Sequence, residues 1–285
     1  MVIDQQSWAA AKRRIELPGG QQFTYVDHGQ GPVLLLLHGY SDTSRSFSLI
    51  APSLGGYRLI IPDLGGHGGS MPREGMSIAE LAHDVDCLAD RLAIHQFVLV
   101  GHSMGAMIAV DIAARRREAV RALILLSGSL KPDFGPGTEV ARAIRGLKDP
   151  LGPDDAFFDR WHACSRSVDT AFLRHLRREA AAMPMTTWRT LLDALAVTDL
   201  KSRAAHVRAP VLCIAGAQDP LFDIGHRQVL AETFASVRSI TLDGHGHNPH
   251  WESPADVAAL ILSFLGDEVG QPGSTSGLSA THGRR

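Results

Sequence analysis

A chain of 285 residues has room for one large α/β domain or two small ones, and its 45% hydrophobic and 20% charged content is that of an ordinary globular protein. A formal net charge of −2 gives no reason to expect nucleic acid or an anionic membrane as a partner. The three cysteines, Cys87, Cys164 and Cys213, show no metal-binding spacing, so no metal is expected, and no apolar run approaches bilayer-spanning length. Cys87 and Cys213 lie in apolar patterns and are expected to be buried. Met1 to Trp8 lack a basic start followed by an apolar core, so no signal peptide is expected and a cytoplasmic location is the default.

Residues 1 to about 12 are expected to form a loosely held leader. Arg13 to Leu17 and Phe23 to Val26 flank Pro18-Gly19-Gly20, which predicts strand, turn, strand. Pro32 introduces Val33 to Leu37, an unbroken apolar run suited to a parallel strand buried on both faces. His38-Gly39-Tyr40 follows at once. Ser44 to Leu54 reads as a short helix and Tyr57 to Ile61 as the next strand, ending in Pro62-Asp63. Ser77-Ile78-Ala79-Glu80 is a capping box that opens a helix to about Ala93.

Phe97 to Val100 reads as another buried strand and runs into Gly101-His102-Ser103-Met104-Gly105. Apolar residues then recur at helical spacing: Met107, Ile108, Ile112 and Ala113. A strand that enters a helix through so few residues must turn sharply, and the glycines leave space where a Cβ would collide. Ser103 is thereby exposed at a helix N-terminus, where free N–H groups favour developing negative charge. Ala122 to Leu126 is the next strand. From Leu130 to His206 there is no strand-like run, only helical patterns rich in aromatics. Strands resume at Val211 to Ala215 and Val237 to Leu242, and Ser253 caps a final helix over Pro254 to Leu265.

Strands alternating with helices predict an α/β fold with a doubly wound, mostly parallel sheet. Its core is residues 13–129 and 207–265, interrupted by a helical insertion over 130–206 that acts as a cap. The Gly/Ser-rich tail, 266–285, is expected to be disordered. The insertion starts where a strand has just ended, so it should sit over the carboxyl edge of the sheet, where ligands bind in such folds.

A serine hydroxyl needs a base, itself oriented by an acid. Three histidines, His245, His247 and His250, lie in the loop after the last strand, and Asp219, Asp223 and Asp243 are the acids near the ends of the last two strands. The chain order Ser, Asp, His is the one found where a Gly-x-Ser-x-Gly turn carries the nucleophile.

From about Phe23 to Leu265 the chain resembles the α/β-hydrolase superfamily, in its serine esterase- and lactonase-like branch with a helical lid. Gly246-His247, four residues, then Glu252-Ser253-Pro254 is similar to the family's histidine motif and implies His247 as the base. The Gly216-x-x-Asp219-Pro220 turn implies Asp219 as the acid. His38-Gly39-Tyr40 resembles the family's oxyanion loop, which implies the backbone N–H groups of Tyr40 and Met104 as oxyanion donors, with His38 as an anchor. Asp63 to Ser70 resembles a scaffold turn of the family, and His102 is not expected to be catalytic. A serine at 103 sets aside the epoxide hydrolases and haloalkane dehalogenases, which use aspartate.

The resemblance implies a hydrolase that cleaves a carboxylic ester or lactone through an acyl-enzyme, without a cofactor. It leaves open a carbon–carbon bond hydrolase, a cofactor-free haloperoxidase or perhydrolase, and a ligand-binding receptor with vestigial hydrolysis. Phe134, Trp161, Met183 and Trp188 are the pocket candidates in the cap. Arg177-Arg178 is expected to be a solvated helix face. The expected partner is a small-molecule ester or lactone, and the expected state a monomer or homodimer.

Overall fold

The structure, a computed structural model, describes residues 4–73 and 75–270. One sheet contains β1 (Lys12–Glu16), β2 (Gln22–Gly29), β3 (Val33–Leu37), β4 (Arg58–Asp63), β5 (Phe97–His102), β6 (Val120–Leu126), β7 (Val211–Gly216) and β8 (Val237–Leu242). The strand order is β1-β2-β4-β3-β5-β6-β7-β8, with β1–β2 and β2–β4 antiparallel and every other pair parallel. This is the doubly wound, mostly parallel sheet that the alternating pattern predicts.

Among the described residues the helices are α1 (Ile78–Arg91), α2 (Met104–Arg115), α3 (Glu139–Arg145), α4 (Phe157–Trp161), α5 (Thr170–Ala181), α6 (Met185–Ala196), α7 (Lys201–Ala204), α8 (Ile224–Thr233), α9 (Pro249–Glu252) and α10 (Pro254–Glu268). The unbroken apolar strands split by alternation. Leu35, Leu37, Ile60, Leu99, Leu123 and Leu125 pack with α1, α2 and α6 on one face. Leu34, Leu36, Leu59, Ile61, Val98, Val100 and Ile124 pack with Val257, Ile261 and Phe264 of α10 on the other. Successive side chains of a strand point to opposite faces, so a strand covered twice must be apolar throughout.

The Ser77–Glu80 capping box forms as the sequence predicts, opening α1. The stretch from Ser44 to Leu54 departs from the single helix expected. It forms two 3-10 turns, Ser44–Phe47 and Ala51–Ser53, because Pro52 has no N–H to donate and its ring obstructs the preceding turn of an α-helix. The leader expected to be loose is anchored at Trp8, which is 1% exposed and whose Nε1 donates to Ser44 Oγ at 3.2 Å. The Arg45 guanidinium donates to the Gln5 carbonyl at 2.7 Å. Cys213 is buried, but Cys87 is only half-buried. Helix α10 continues through residues 266–268, beyond the expected start of the tail, and residues 271–285 lie outside those described.

Between β6 and β7 the chain forms α3 to α7, and the Leu200 N–H donates to the Leu130 carbonyl at 2.8 Å, closing the excursion near its base. Arg45, 2% exposed at its side chain, pairs with Glu179 of α5 at 2.7 Å. That contact ties this segment to the turn after β3.

β3 lies between β4 and β5, so the connections reverse direction there. A crevice outside the carboxyl ends of the strands at such a reversal is where open α/β sheets bind ligands. The turn from β5 into α2 is correspondingly tight. A Cβ on Gly101 would lie 2.4 Å from the Gly105 carbonyl oxygen, and one on Gly105 would lie 2.0 Å from that of Leu37. Both obstacles are backbone, which cannot rotate aside. Gly105→Ala is therefore expected to cost at least about 1–3 kcal/mol of stability, read from the urea midpoint of unfolding; an unchanged midpoint would contradict this packing.

Candidate active site

Ser103 precedes α2 with φ 52° and ψ −115°, a left-handed conformation that a residue with a Cβ holds only under constraint. Its own N–H donates to the Leu126 carbonyl at 3.0 Å, an extension of the β5–β6 pairing that fixes the turn. The side chain makes no capping bond to the helix. Instead Ser103 Oγ lies 3.0 Å from His247 Nε2.

His247 follows β8, and its Nδ1 is 2.8 Å from Asp219 Oδ2. The other oxygen of Asp219 accepts from the amides of Leu221 and Phe222 at 2.9 and 3.1 Å. An ionised carboxylate only accepts, so Nδ1 carries the proton and Nε2 turns its lone pair toward Ser103. Burial raises the Asp219 pKa, but the adjacent imidazole and the two amides outweigh it and hold the carboxyl below its usual range.

Three contacts hold the His247 loop. The Gly246 and Ser165 amides donate to the two oxygens of Glu252 at 2.9 and 3.0 Å. His102 Nε2, facing a carbonyl, donates to His247 O at 3.0 Å. Gly216, at the end of β7, admits the His245 and Gly246 carbonyls, each 2.2 Å from where its Cβ would be. The competing histidines are engaged elsewhere. His245 contacts the Asp243 carbonyl at 2.9 Å and Ser253 Oγ at 2.8 Å, which is why Ser253 offers no side-chain cap to α10. His250 meets Ser46 Oγ at 3.2 Å. Asp223 caps α8 through the Gly225 and His226 amides.

The Leu64 N–H donates to His38 Nε2 at 2.9 Å, so the ring's proton sits on Nδ1, which donates to Gly39 O at 2.8 Å. His67 Nε2 lies 2.6 Å from the Tyr40 carbonyl. These two rings pin the backbone after β3. The amides of Tyr40 and Met104 have no protein acceptor among the described residues. The Tyr40 side chain turns away, its hydroxyl donating to the Trp188 carbonyl.

Gly39, Tyr40, Ser103 and His247 line one narrow cavity of about 40 Å³. Of the four cap candidates, Phe134 and Trp161 line it. Met183 and Trp188 do not: they are buried in the main core, Trp188 behind Tyr40 at a ring distance of 5.3 Å. The wall also contains Ser41, Asp42, His162, Leu221 and Trp251, which sequence reasoning missed. Asp42 was within reach, being a carboxylate two residues past Tyr40; His162 carried no signal. Arg177 pairs with Asp159 at 2.9 Å on the surface.

The family pattern for the alpha/beta hydrolase fold matches residues 32–254. The chain belongs to that family. A pimeloyl-(acyl-carrier protein) methyl ester esterase of Aromatoleum aromaticum is 30% identical over 246 residues, covering 81% of this chain and 96% of the relative. The enzyme of the same name from Aeromonas hydrophila is 29% identical, over 84% of this chain and 97% of its own. Among solved structures, the enol-lactonase from Burkholderia xenovorans LB400 shares the fold, with a TM-score of 0.78, 22% identity and coverage of 89% and 99%. No helix among the described residues of this α/β hydrolase is long and apolar enough to cross a membrane.

The hydrolase buries several imidazoles in neutral form. Burial pushes His38 down to about 3, helped by the nearby His67 ring, and His162 down to about 4. His67, His102 and His250 are lowered from the same cause. Each is lower in the folded state than the ordinary 6.5, so below that pH the unfolded chain binds more protons. Stability is then complete above about pH 6.5 and is lost as the pH falls toward 4, by at most about 1.4 kcal/mol per pH unit for each histidine. Urea unfolding from about pH 7.5 to about pH 4.5 should show a falling midpoint below about pH 6.5 with uptake of more than one proton; a flat midpoint would contradict it.

Proposed function

We propose that this hydrolase, which like its relatives acts on ester bonds, cleaves a small carboxylic ester through an acyl-enzyme on Ser103. The observation that carries the reading is the unbroken line from Asp219 through His247 to Ser103, at 2.8 and 3.0 Å. His247 Nε2 takes the Ser103 proton as Oγ attacks the carbonyl carbon. The Tyr40 and Met104 amides donate to the resulting oxyanion, and Asp219 stabilises the imidazolium without taking its proton. The intermediate collapses as His247 returns the proton to the departing alcohol. Water then repeats the sequence against the acyl-serine and releases the acid. No step draws on a cofactor.

The narrow cavity favours a small group on one side of the ester, and the methyl ester esterases among the relatives support a short alcohol. Residues 130–206 act in this reading as the cap, supplying Phe134 and Trp161 to the wall. A lactone is the cyclic form of the same substrate class, and the shared fold of the enol-lactonase supports including it in the assays. Three free thiols suit a cytoplasmic setting.

Hydrolysis of p-nitrophenyl butanoate by the wild type is expected to fall about 10⁵- to 10⁶-fold in Ser103→Ala and in His247→Ala, and about 10⁴-fold in Asp219→Asn. Retention of wild-type kcat/KM by the His247→Ala protein would refute the mechanism. Negligible turnover by the wild type, together with tight binding of the ester, would favour a receptor instead.

A further inference from the structure

The cavity wall holds polar groups that ester cleavage does not use. Asp42 and His162 both line it, and both are buried. The Asp42 carboxylate accepts one long hydrogen bond, from Ser46 Oγ at 3.3 Å. His102 Nδ1 lies 3.8 Å from the same oxygen, beyond hydrogen-bond reach. No lysine or arginine among the described residues pairs with Asp42. Near this carboxylate, both ring nitrogens of His162 and the Nδ1 atoms of His102 and His250 are buried without a partner among the described residues.

Unpaired polar atoms of this kind are costly. Each buried polar atom without a partner costs roughly 1–3 kcal/mol. Natural structures contain few of them, and a cluster calls for a missing partner. Of this cluster, Asp42, His102 and His162 line the cavity beside Ser103.

We propose that Asp42 and His162 in the cavity wall form a subsite for a hydroxyl group of the substrate, which donates to Asp42 and accepts from a ring N–H of His162 while the ester carbonyl lies at Ser103. A hydroxyl is the group that satisfies both. An ammonium could donate to Asp42 but has nothing to offer the N–H of His162. A carboxylate or phosphate would meet the charge of Asp42, and an alkyl group would leave these polar atoms unpaired. Asp42 takes the acceptor role, the one open to an ionised carboxylate. The inference names the substrate class for the ester-hydrolase reading and rests on it.

Two pairs of esters, differing only by hydroxyl for methyl, test the subsite. 2-Hydroxyethyl butanoate against propyl butanoate places the hydroxyl on the alcohol side; ethyl 4-hydroxybutanoate against ethyl pentanoate places it on the acyl side. In one of the pairs the wild type is expected to favour the hydroxylated ester by about tenfold or more in kcat/KM, the range for a hydrogen bond to a charged group. Asp42→Leu should abolish or reverse that ratio, and His162→Phe should reduce it. Asp42→Asn keeps the shape of the side chain and gives a second measurement if the leucine variant does not fold; its ratio should also fall. Equal hydrolysis of both members in both pairs means that ordered water serves these groups, which overturns the subsite and leaves the ester-hydrolase reading standing. A wild-type preference that survives in both Asp42 variants overturns it as well. Failure of the wild type to cleave any of the four esters overturns the ester-hydrolase reading and the subsite with it.

Discussion

At the turn between β5 and α2 the backbone comes so close to the end of β3 that residue 105 has no room for a Cβ, which would lie 2.0 Å from the Leu37 carbonyl oxygen. That approach brings the N-terminus of α2 against the loop after β3. It holds Ser103 in a left-handed conformation at φ 52°. A strained residue of this kind costs on the order of 1–3 kcal/mol and persists only where its surroundings over-determine it. Here the surroundings are the central strands themselves, with Leu37 opposite Gly101 on one side and Leu126 accepting from the Ser103 amide on the other.

Protonation gives the site its direction. Asp219 spends one oxygen on two backbone amides and leaves the other for His247, so the imidazole has one tautomer open to it. The hydroxyl of Ser103 therefore faces a lone pair. Other histidines in the same neighbourhood hold backbone. His38 bridges the Leu64 amide and the Gly39 carbonyl, and His102 supports the carbonyl of His247 itself. His247 differs in having a carboxylate on one nitrogen and the cavity wall at its other end. The same side chain thus meets a hydroxyl or holds backbone according to what its two nitrogens face.

The parallel sheet was legible because strands covered on both faces must be apolar at every position, which leaves runs such as Val33–Leu37 and Val211–Gly216. The turn at Ser103 and the capping box at Ser77 were legible because local sterics and local hydrogen bonds write them into a few adjacent residues. The stretch between β6 and β7 was less legible. Aromatic residues at helical spacing define an apolar face without saying what it meets, so Met183 and Trp188 look as suited to a pocket as Trp161 does. In the folded chain they fill the core behind Tyr40. Trp8 was read as part of a loose leader because one aromatic in a polar stretch has no periodicity, and its partner Ser44 is distant in the sequence.

Sequence alone determined the order of strands and helices, the sharp turn that exposes a serine, and a short set of acids and histidines near the ends of the last two strands. Each of these is set by interactions within a few residues. Tertiary structure decided which histidine and which carboxylate stand in line with Ser103, which aromatics between β6 and β7 reach the cavity, and that Asp42 and His162 share its wall. Those outcomes depend on distances between segments far apart in the chain, and only the packing of the two faces of the sheet sets them.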